Sequence, residues 1–227
     1  MKKAKGISVL SGGLDCTVAT SVYAKDYDLT AITFNYGQQS FQQELLHSKK
    51  ICEKYGMKHV VIDLPWLNEI SASSLTSDED IPELADDELD NYDVALQTAK
   101  SVWVPARNTV FCSIALAYAE SLSAKIIIVG WDYEEAITFP DNSREYLKAF
   151  NETIKHGSFD DIEIKAPLID LNKKEIVEKG WKYNAPMDLS YSCYKGGRYH
   201  CGVCESCKRR KRAFIESGID DSTKYEK

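Results

Sequence analysis

The sequence predicts an α/β fold: a Rossmann-like parallel sheet with helices on both faces, followed by a small C-terminal segment that carries four cysteines. Short β-branched runs alternate with longer amphipathic stretches, which is typical of βαβ units. The glycine-rich and polar motifs follow strands or open helices. In such a sheet the carboxyl ends of the strands meet at one edge, where ligands bind. We therefore expect the functional residues at that edge.

The individual elements follow in chain order. We predict strands at 7–10, 31–36, 59–64 and 126–129, a weaker fifth at 162–166, and helices at 14–24, 42–55, 108–123 and about 205–217. A chain of 227 residues suits one such domain with an appendage. We divide it into an α/β domain at 1–185 and a cysteine-bearing segment at 186–227. The acidic stretch 77–93 lacks Lys and Arg and is predicted to be a solvated loop or a mobile lid.

Charge and hydropathy narrow the class of protein. A net charge of −7 argues against a global nucleic-acid-binding surface, so no stable nucleic-acid binding is expected. The basic run 208–212 is either a solvated or phosphate-facing helix surface, or a contact with nucleic acid or a partner. The first apolar run is too short for a signal peptide, and no stretch reaches the ~20 apolar residues that span a bilayer. We expect a cytoplasmic protein without a membrane partner.

A turn between the first strand and the first helix is predicted to bind phosphate. The string Leu10 to Thr17 ends an apolar strand, turns through Gly12 and Gly13, and opens a helix whose N-terminal N–H groups attract anions. Ser11 and Thr17 can add hydroxyl donors. Asp15 beside polyphosphate requires a divalent cation, for which Mg²⁺ is the natural candidate. A glycine turn that binds nothing is the alternative.

The cysteine cluster predicts a metal site. Cys193, Cys201, Cys204 and Cys207 are separated by seven, two and two residues, and Gly202 permits a tight turn between them. Four thiolates with such spacing match a closed structural Zn²⁺ site; an iron–sulfur cluster or unliganded cysteines remain alternatives. His200 is interpreted as a neighbour rather than a ligand. Cys52 and Cys112 fall inside amphipathic helices and are predicted to be core residues.

Three further segments supply candidate site residues. Tyr36 and Gln38 end the second strand. Arg107 could pair with phosphate or carboxylate at the start of a helix, for which Asn108 is a plausible N-cap. Lys173 is either a phosphate ligand or a surface lysine at a helix start. The segment 139–144, which contains Asp141, would by itself be a capped loop.

The string Ser11-Gly12-Gly13-Leu14-Asp15 with Thr17 resembles the PP-loop of N-type ATP pyrophosphatases, which have a HUP-like fold. The chain also resembles the 7-cyano-7-deazaguanine synthase (QueC) family along nearly its whole length. The further segments that carry this resemblance are Tyr36-Gly37-Gln38, residues 74–76, 104–108 and 166–168, Lys173, and Ser192-Cys193-Tyr194. This resemblance implies ligation of ammonia to 7-carboxy-7-deazaguanine, in queuosine or archaeosine biosynthesis. It also implies ATP, Mg²⁺ and Zn²⁺, a homodimer, and ammonia that is free or supplied by a glutaminase partner.

The resemblance also implies residue roles. Residues 1–185 would be the PP-loop ATP-binding domain, with Asp15, Arg107 and Lys173 catalytic. The following sets are assigned to ligands: for ATP, Leu10, Ser11, Gly12, Gly13, Leu14, Asp15, Cys16 and Thr17; for the deazapurine, Tyr36, Gln38, Arg107, Asn108 and Asp141, the last at its guanine-like N–H edge; for the metal, the four cysteines.

The chain departs from the family pattern at a few positions. Cys16 stands where the family usually has Ser, Gln39-Ser40 where it commonly has Arg-His, and Asn142-Ser143 follows Asp141 where it commonly has a cysteine before Arg144. Other functions therefore stay open: a PP-loop enzyme that modifies tRNA by thiolation or lysine ligation, a relative that joins an activated deazapurine or other carboxylate to a different amine, or a non-enzymatic zinc-ribbon module.

Overall fold

A computed structural model describes residues 3–77, 79–85 and 88–227 and contains one five-stranded parallel sheet. The strands are β1 (Ala4–Val9), β2 (Tyr27–Asn35), β3 (Lys58–Asp63), β4 (Ala124–Ile128) and β5 (Glu163–Lys165), in the spatial order β3-β2-β1-β4-β5. Every neighbouring pair is parallel. The order reverses after β3, so β1 and β4 flank a switch point, where open sheets bind ligands. The predicted fold class is confirmed.

Nine α-helices fall within the described residues. They are α1 (Leu14–Tyr23), α2 (Phe41–Tyr55), α3 (Pro65–Glu69), α4 (Tyr92–Ser101), α5 (Arg107–Leu122), α6 (Tyr133–Ala136), α7 (Arg144–Gly157), α8 (Lys173–Tyr183) and α9 (Glu205–Ser217). The last has the bounds that the sequence predicts. Its C-terminal residue is followed by Gly218 in the left-handed conformation, a common helix stop.

Helices cover both faces of the sheet. On one face Cys112 of α5 and Ile154 of α7 pack with Ile7 and Ile127 of the strands. On the other face the core combines residues of α1, α8 and α9: Val18, Ile176, Val177, Ala213 and Phe214. Because α9 shares this core with α1 and α8, the segment 186–227 is packed against the sheet domain; the boundary at residue 185 stays a prediction.

The N-terminus of α5 differs from the prediction. Asn108 was predicted to be the N-cap, but α5 begins at Arg107 and its N-cap is Ala106, which adopts a left-handed backbone with φ 50°. Asn108 thus lies inside the first turn, and its side-chain amide donates to Asn142 Oδ1 at 3.2 Å. A periodicity argument could not find this start, because a non-glycine residue rarely adopts positive φ.

The acidic stretch 77–93 lies against the cysteine segment in its described part; Asp78, Asp86 and Asp87 are outside the described residues. Ile81, Leu84 and Leu89 are buried. Glu83 forms a β-bridge with Cys204, and the Leu84 N–H donates to the carbonyl of Val203 at 3.3 Å. Its apolar residues anchor the stretch, although its composition suggested only a solvated loop or a lid.

The arginines of the basic run 208–212 form ion pairs inside the chain, and for the buried Arg210 the interpretation as a solvated surface is wrong. Arg209 contacts Glu134 at 2.6 Å, and Arg212 contacts Asp90 at 2.8 Å. Arg210 is only 2% exposed and pairs with Asp221 at 3.1 Å. Partners this far away in the chain leave no local sequence signal. Among the described residues, none of the helices combines the length and apolar character that a bilayer span requires.

Candidate active site

A cavity of about 240 Å³ opens at the carboxyl edge of the sheet. Its walls come from the ends of β1, β2 and β4, from the first turns of α1 and α5, and from residues 191–194. Among the residues predicted for the site, those that line it are Leu10, Ser11, Gly13, Leu14, Asp15, Cys16, Tyr36, Arg107, Asn108 and Cys193. The fold thus brings together segments that are far apart in sequence, as the strand-edge rule predicts.

The turn between β1 and α1 is built to present backbone donors. Gly13 is the N-cap of α1 and has no side chain to cap the first N–H groups. Its own N–H donates to Ser11 Oγ at 3.2 Å. Gly12 has φ 81°, and a Cβ there would lie 2.8 Å from the backbone nitrogen of Ser48, so only glycine suits this position. The uncapped helix start can therefore receive a phosphate.

Two of the predicted ligands point elsewhere. Thr17 is fully buried, and its hydroxyl donates to the carbonyl of Gly13 at 2.6 Å. Gln38 is buried too; its amide donates to the carbonyl of Phe34 and to Glu44 Oε2, both at 3.0 Å. Neither residue lines the cavity, and neither does Gly12, whose carbonyl accepts from Tyr191 N–H at 2.8 Å. These three residues shape the site without facing into it.

Lys173 lies at the centre of a carboxylate cluster. Its Nζ is 2.8 Å from Asp15 Oδ2, 2.8 Å from Asp132 Oδ2 and 3.2 Å from Glu135 Oε1. The side chain is buried, so the alternative of a surface lysine is wrong. Burial would lower the pKa of Lys173, but the three carboxylates raise it well above its usual value. Burial also raises the pKa of Asp132 to about 8, against the effect of Lys173. Lys173 therefore stays charged.

Sequence reasoning missed Asp132 and Glu135. The available signal was position: both follow β4 at the carboxyl edge of the sheet, beside Gly130 and Trp131. Ligand oxygens of Asp15, Asp132 and Glu135 lie within 4.8 Å of one another, and Asp15 Oδ1 is buried with no hydrogen-bond partner. Clustered carboxylate oxygens are the ligands that Mg²⁺ prefers, so these residues fit a divalent cation.

A second cation, Arg107, lines the cavity itself. Arg107 Nη1 donates to the hydroxyl of Tyr36 at 3.1 Å, and its guanidinium lies 5.6 Å from the centre of that ring. Burial would lower the pKa of Arg107, but Tyr36 and Asp141 raise it. Asp141 is buried outside the cavity lining. Its charge favours the ionised form of Arg107, and the part of the site where we predicted it, the lining of the cavity, does not include it.

The four cysteines meet in one buried cluster, and the segment that carries them forms a wall of the cavity. Their Sγ atoms lie within 4.8 Å of one another, and Cys201 and Cys207 are 3.9 Å apart. A tetrahedral zinc site with Zn–S bonds of 2.3 Å requires S···S separations of about 3.8 Å. The Cys204 N–H donates to Cys201 Sγ at 3.3 Å, and Gly202 turns with φ 81°. The arrangement fits a bound metal.

Three further residues near these groups, His200, Cys16 and Cys112, do not belong to either cluster of candidate metal ligands. His200 Nε2 accepts from the Ser192 N–H at 2.9 Å, so this nitrogen is engaged away from the metal. Cys16 and Cys112 line the cavity, but burial raises the pKa of both thiols. The pKa of Cys112 is raised to about 12. Protonated thiols are poor nucleophiles, which argues against the thiolation chemistry that remained open.

Comparisons with known proteins point to one family. The profile of a family described as "Queuosine biosynthesis protein QueC" matches residues 5–218. A 7-cyano-7-deazaguanine synthase of Methanosphaera stadtmanae is 74% identical over 225 residues, which cover 99% of this chain and 100% of that protein. The enzyme of the same name from Methanobrevibacter smithii is 63% identical, with 99% of each chain covered. That from Methanocaldococcus jannaschii is 47% identical, with 97% of this chain and 99% of that protein covered.

Proposed function

The chain belongs to the QueC family and is an enzyme of the 7-cyano-7-deazaguanine synthase type, and we propose that it forms the nitrile from 7-carboxy-7-deazaguanine and ammonia through adenylated intermediates. The observation that carries this proposal is one cavity lined by an uncapped helix start at Gly13, by the cation Arg107, and by Asp15 and Glu135, whose carboxylates contact Lys173. The product would serve queuosine or archaeosine biosynthesis.

ATP would bind with its phosphates at the turn between β1 and α1. Ser11 Oγ and the first N–H groups of α1 would hold the β- and γ-phosphates, which leave as pyrophosphate. Lys173 would neutralise charge on the departing group, because its ammonium lies beside Asp15 at the same helix start. Arg107 would stabilise the negative charge of the carboxylate as it attacks the α-phosphorus.

Adenylation solves a leaving-group problem. A carboxylate on an electron-rich pyrrole is a poor electrophile, so its oxygen attacks the α-phosphorus and pyrophosphate leaves. Ammonia then attacks the acyl carbon, AMP carries the first oxygen away, and loss of a proton leaves the amide. The amide oxygen attacks the α-phosphorus of a second ATP, and a second pyrophosphate leaves. Loss of AMP and of the protons on nitrogen then gives the nitrile. Positioning suffices for these steps, and no covalent nucleophile is needed.

Two metals fit residues of the chain. The carboxylate oxygens of Asp15, Asp132 and Glu135 that do not contact Lys173 would hold Mg²⁺, which when bound would screen the charge of the pyrophosphate leaving group. The four cysteines would hold Zn²⁺. A site closed by four thiolates leaves no position for a reacting water, so this metal stabilises the fold rather than the chemistry.

The remaining partners follow from the family and are part of the proposal. We propose a cytoplasmic homodimer that uses free ammonia or ammonia from a glutaminase. Residues 1–185 would act as the ATP-binding domain, and residues 186–227 as the zinc-bearing segment packed on it.

A direct assay tests the reaction. The chain is incubated with ATP, Mg²⁺, ammonium and 7-carboxy-7-deazaguanine, and the product mass is determined. We expect the nitrile, and a product containing a different amine, or none, would contradict the proposal. Ser11→Ala should lower kcat/KM about 10- to 150-fold, since a hydrogen bond to a charged group contributes about 1.5–3 kcal/mol. Ser113→Ala, an exposed serine of α5, is the matched control and should leave the rate unchanged.

A further inference from the structure

One carboxylate in the cavity has no role in the chemistry above. Glu44, in the first turn of α2, lines the cavity together with the aromatic side chains of Phe34, Tyr36 and Phe111. Phe34 and Phe111 stack with ring centres 4.0 Å apart, and Tyr36 lies 5.6 Å from Phe111. A planar ligand can pack on such a wall. Glu44 therefore lies where the polar edge of a stacked base could end.

The carboxylate of Glu44 is held in place but retains acceptor capacity. Ser40 Oγ donates to Oε1 at 2.6 Å, and Gln38 Nε2 donates to Oε2 at 3.0 Å. A carboxylate oxygen can accept two hydrogen bonds, so each oxygen keeps one lone pair for a ligand. Burial raises the pKa of Glu44, whereas Ser40, Gln38 and the charge of Arg107 favour the ionised form. The two fixed donors also set the orientation of the carboxylate plane.

The chemistry of the ligands decides which base this group suits. A guanine-like edge presents two adjacent donors, the N1–H and the 2-amino group, which match the two oxygens of a carboxylate. An adenine edge presents a donor beside an acceptor, and the acceptor would face a carboxylate oxygen unfavourably. The 7-carboxylate of the substrate needs a cation, and Arg107 also lines the cavity, near enough to Glu44 for its charge to favour the ionised carboxylate.

We propose that Glu44 accepts the N1–H and 2-amino groups of 7-carboxy-7-deazaguanine and thereby determines the specificity for a guanine-like base. This inference rests on the proposed function and replaces Asp141 in that role. Asp141 lies outside the cavity lining, and Asp15 and Glu135 are already paired with Lys173. Among the described lining residues, Glu44 is the carboxylate outside the lysine cluster.

The test compares two substrates: 7-carboxy-7-deazaguanine and the analogue that lacks the 2-amino group. We expect the wild-type chain to prefer the amino-bearing base at least about tenfold in kcat/KM, the effect of one charged hydrogen bond. In Glu44→Gln the side-chain NH₂ group, a hydrogen-bond donor, would face one of the two donors of the base, so one hydrogen bond is lost. KM for the natural substrate should rise about 10- to 150-fold, and the ratio of kcat/KM between the two bases should approach one. KM for ATP should change less than twofold.

Controls separate this inference from its premise. Glu53→Gln makes the same change at an exposed position of α2 and should behave as the wild type. A wild-type chain that uses both bases equally overturns the inference without any variant, and so does a Glu44→Gln chain that keeps the preference. A parallel rise in KM for ATP would assign Glu44 to adenine instead. If the wild type and Glu53→Gln make no nitrile from either base, the proposed function itself is wrong.

Discussion

Replacing Lys173 by methionine tests the buried charge cluster most sharply. The substitution keeps an unbranched side chain, one atom shorter, and removes the ammonium that contacts Asp15, Asp132 and Glu135 at 2.8, 2.8 and 3.2 Å. Asp132 is fully buried, and Lys173 is only 7% exposed, so water cannot replace the lost contacts. Lys174→Met is the matched control, because its ion pair with Glu178 is half-exposed and 3.6 Å long.

The size of the effect follows from burial. Removing one partner of a buried ion pair costs about 3–5 kcal/mol, whereas an exposed i,i+4 pair contributes about 0.5 kcal/mol or less. For a chain of this size each kcal/mol shifts Tm by about 2–4 °C. We therefore expect Lys173→Met to lower Tm by about 6–20 °C and Lys174→Met by about 2 °C at most.

The pH dependence gives an independent check. The pKa of Asp132 is already raised to about 8 by burial, against the effect of Lys173. Loss of the lysine raises the pKa of Asp132 further, and protonation of Asp132 then removes the cost of a buried, unpaired carboxylate in the folded state. A carboxyl group whose pKa is raised on folding destabilises the folded state as pH rises above its unfolded pKa, because it must then be ionised while buried. Lys173→Met should therefore be more destabilised at pH 8 than at pH 6. Urea unfolding without nucleotide or Mg²⁺ measures this. Equal free energies of unfolding for Lys173→Met and Lys174→Met would contradict the claim that the buried contacts of Lys173 stabilise the fold.

Three further predictions concern the metal, a thiol and a histidine. If the four cysteines hold the proposed metal, its removal by a chelator should weaken ATP binding in calorimetry, because the Tyr191 N–H donates to the carbonyl of Gly12 at 2.8 Å. An unchanged affinity for ATP would show that the two sites are independent. With its pKa raised by burial to about 12, Cys112 should react with iodoacetamide at pH 8 at least about 100-fold more slowly in the native chain than in urea, and equal rates would contradict this. Burial, then Lys49, lowers the pKa of His59, so stability should fall as pH drops below about 6.5. His59→Asn should flatten that slope, while the exposed His156→Asn should not.

The sheet and the cysteine site were predictable because their signals are local. β-branched runs and glycine turns mark each strand and its end, and four closely spaced cysteines mark a metal site wherever the chain folds. The charge cluster has no such signal, since Lys173 lies 158 residues from Asp15 and 41 from Asp132. Only the position of Asp132 after a strand could have suggested it.

Some of the predicted site residues make contacts inside the chain that the sequence did not reveal, because local sequence does not fix the direction of a side chain. Thr17 follows the phosphate-binding pattern, yet one helical turn directs its hydroxyl to the carbonyl of Gly13. Gln38 follows β2 at the carboxyl edge of the sheet, yet its amide donates to the carbonyl of Phe34 and to Glu44. The basic run 208–212 looked like a surface because the sequence does not reveal distant partners such as Asp90 and Asp221.

The fate of ATP tests the central claim most directly. A quenched reaction with 7-carboxy-7-deazaguanine and ammonium is separated by ion-exchange chromatography, and the nucleotide products are quantified against the nitrile. Cleavage between the α- and β-phosphates at the turn formed by residues 11–17 predicts AMP and pyrophosphate in equal amounts, dependent on the carboxylate. Accumulation of ADP and inorganic phosphate instead would contradict the account.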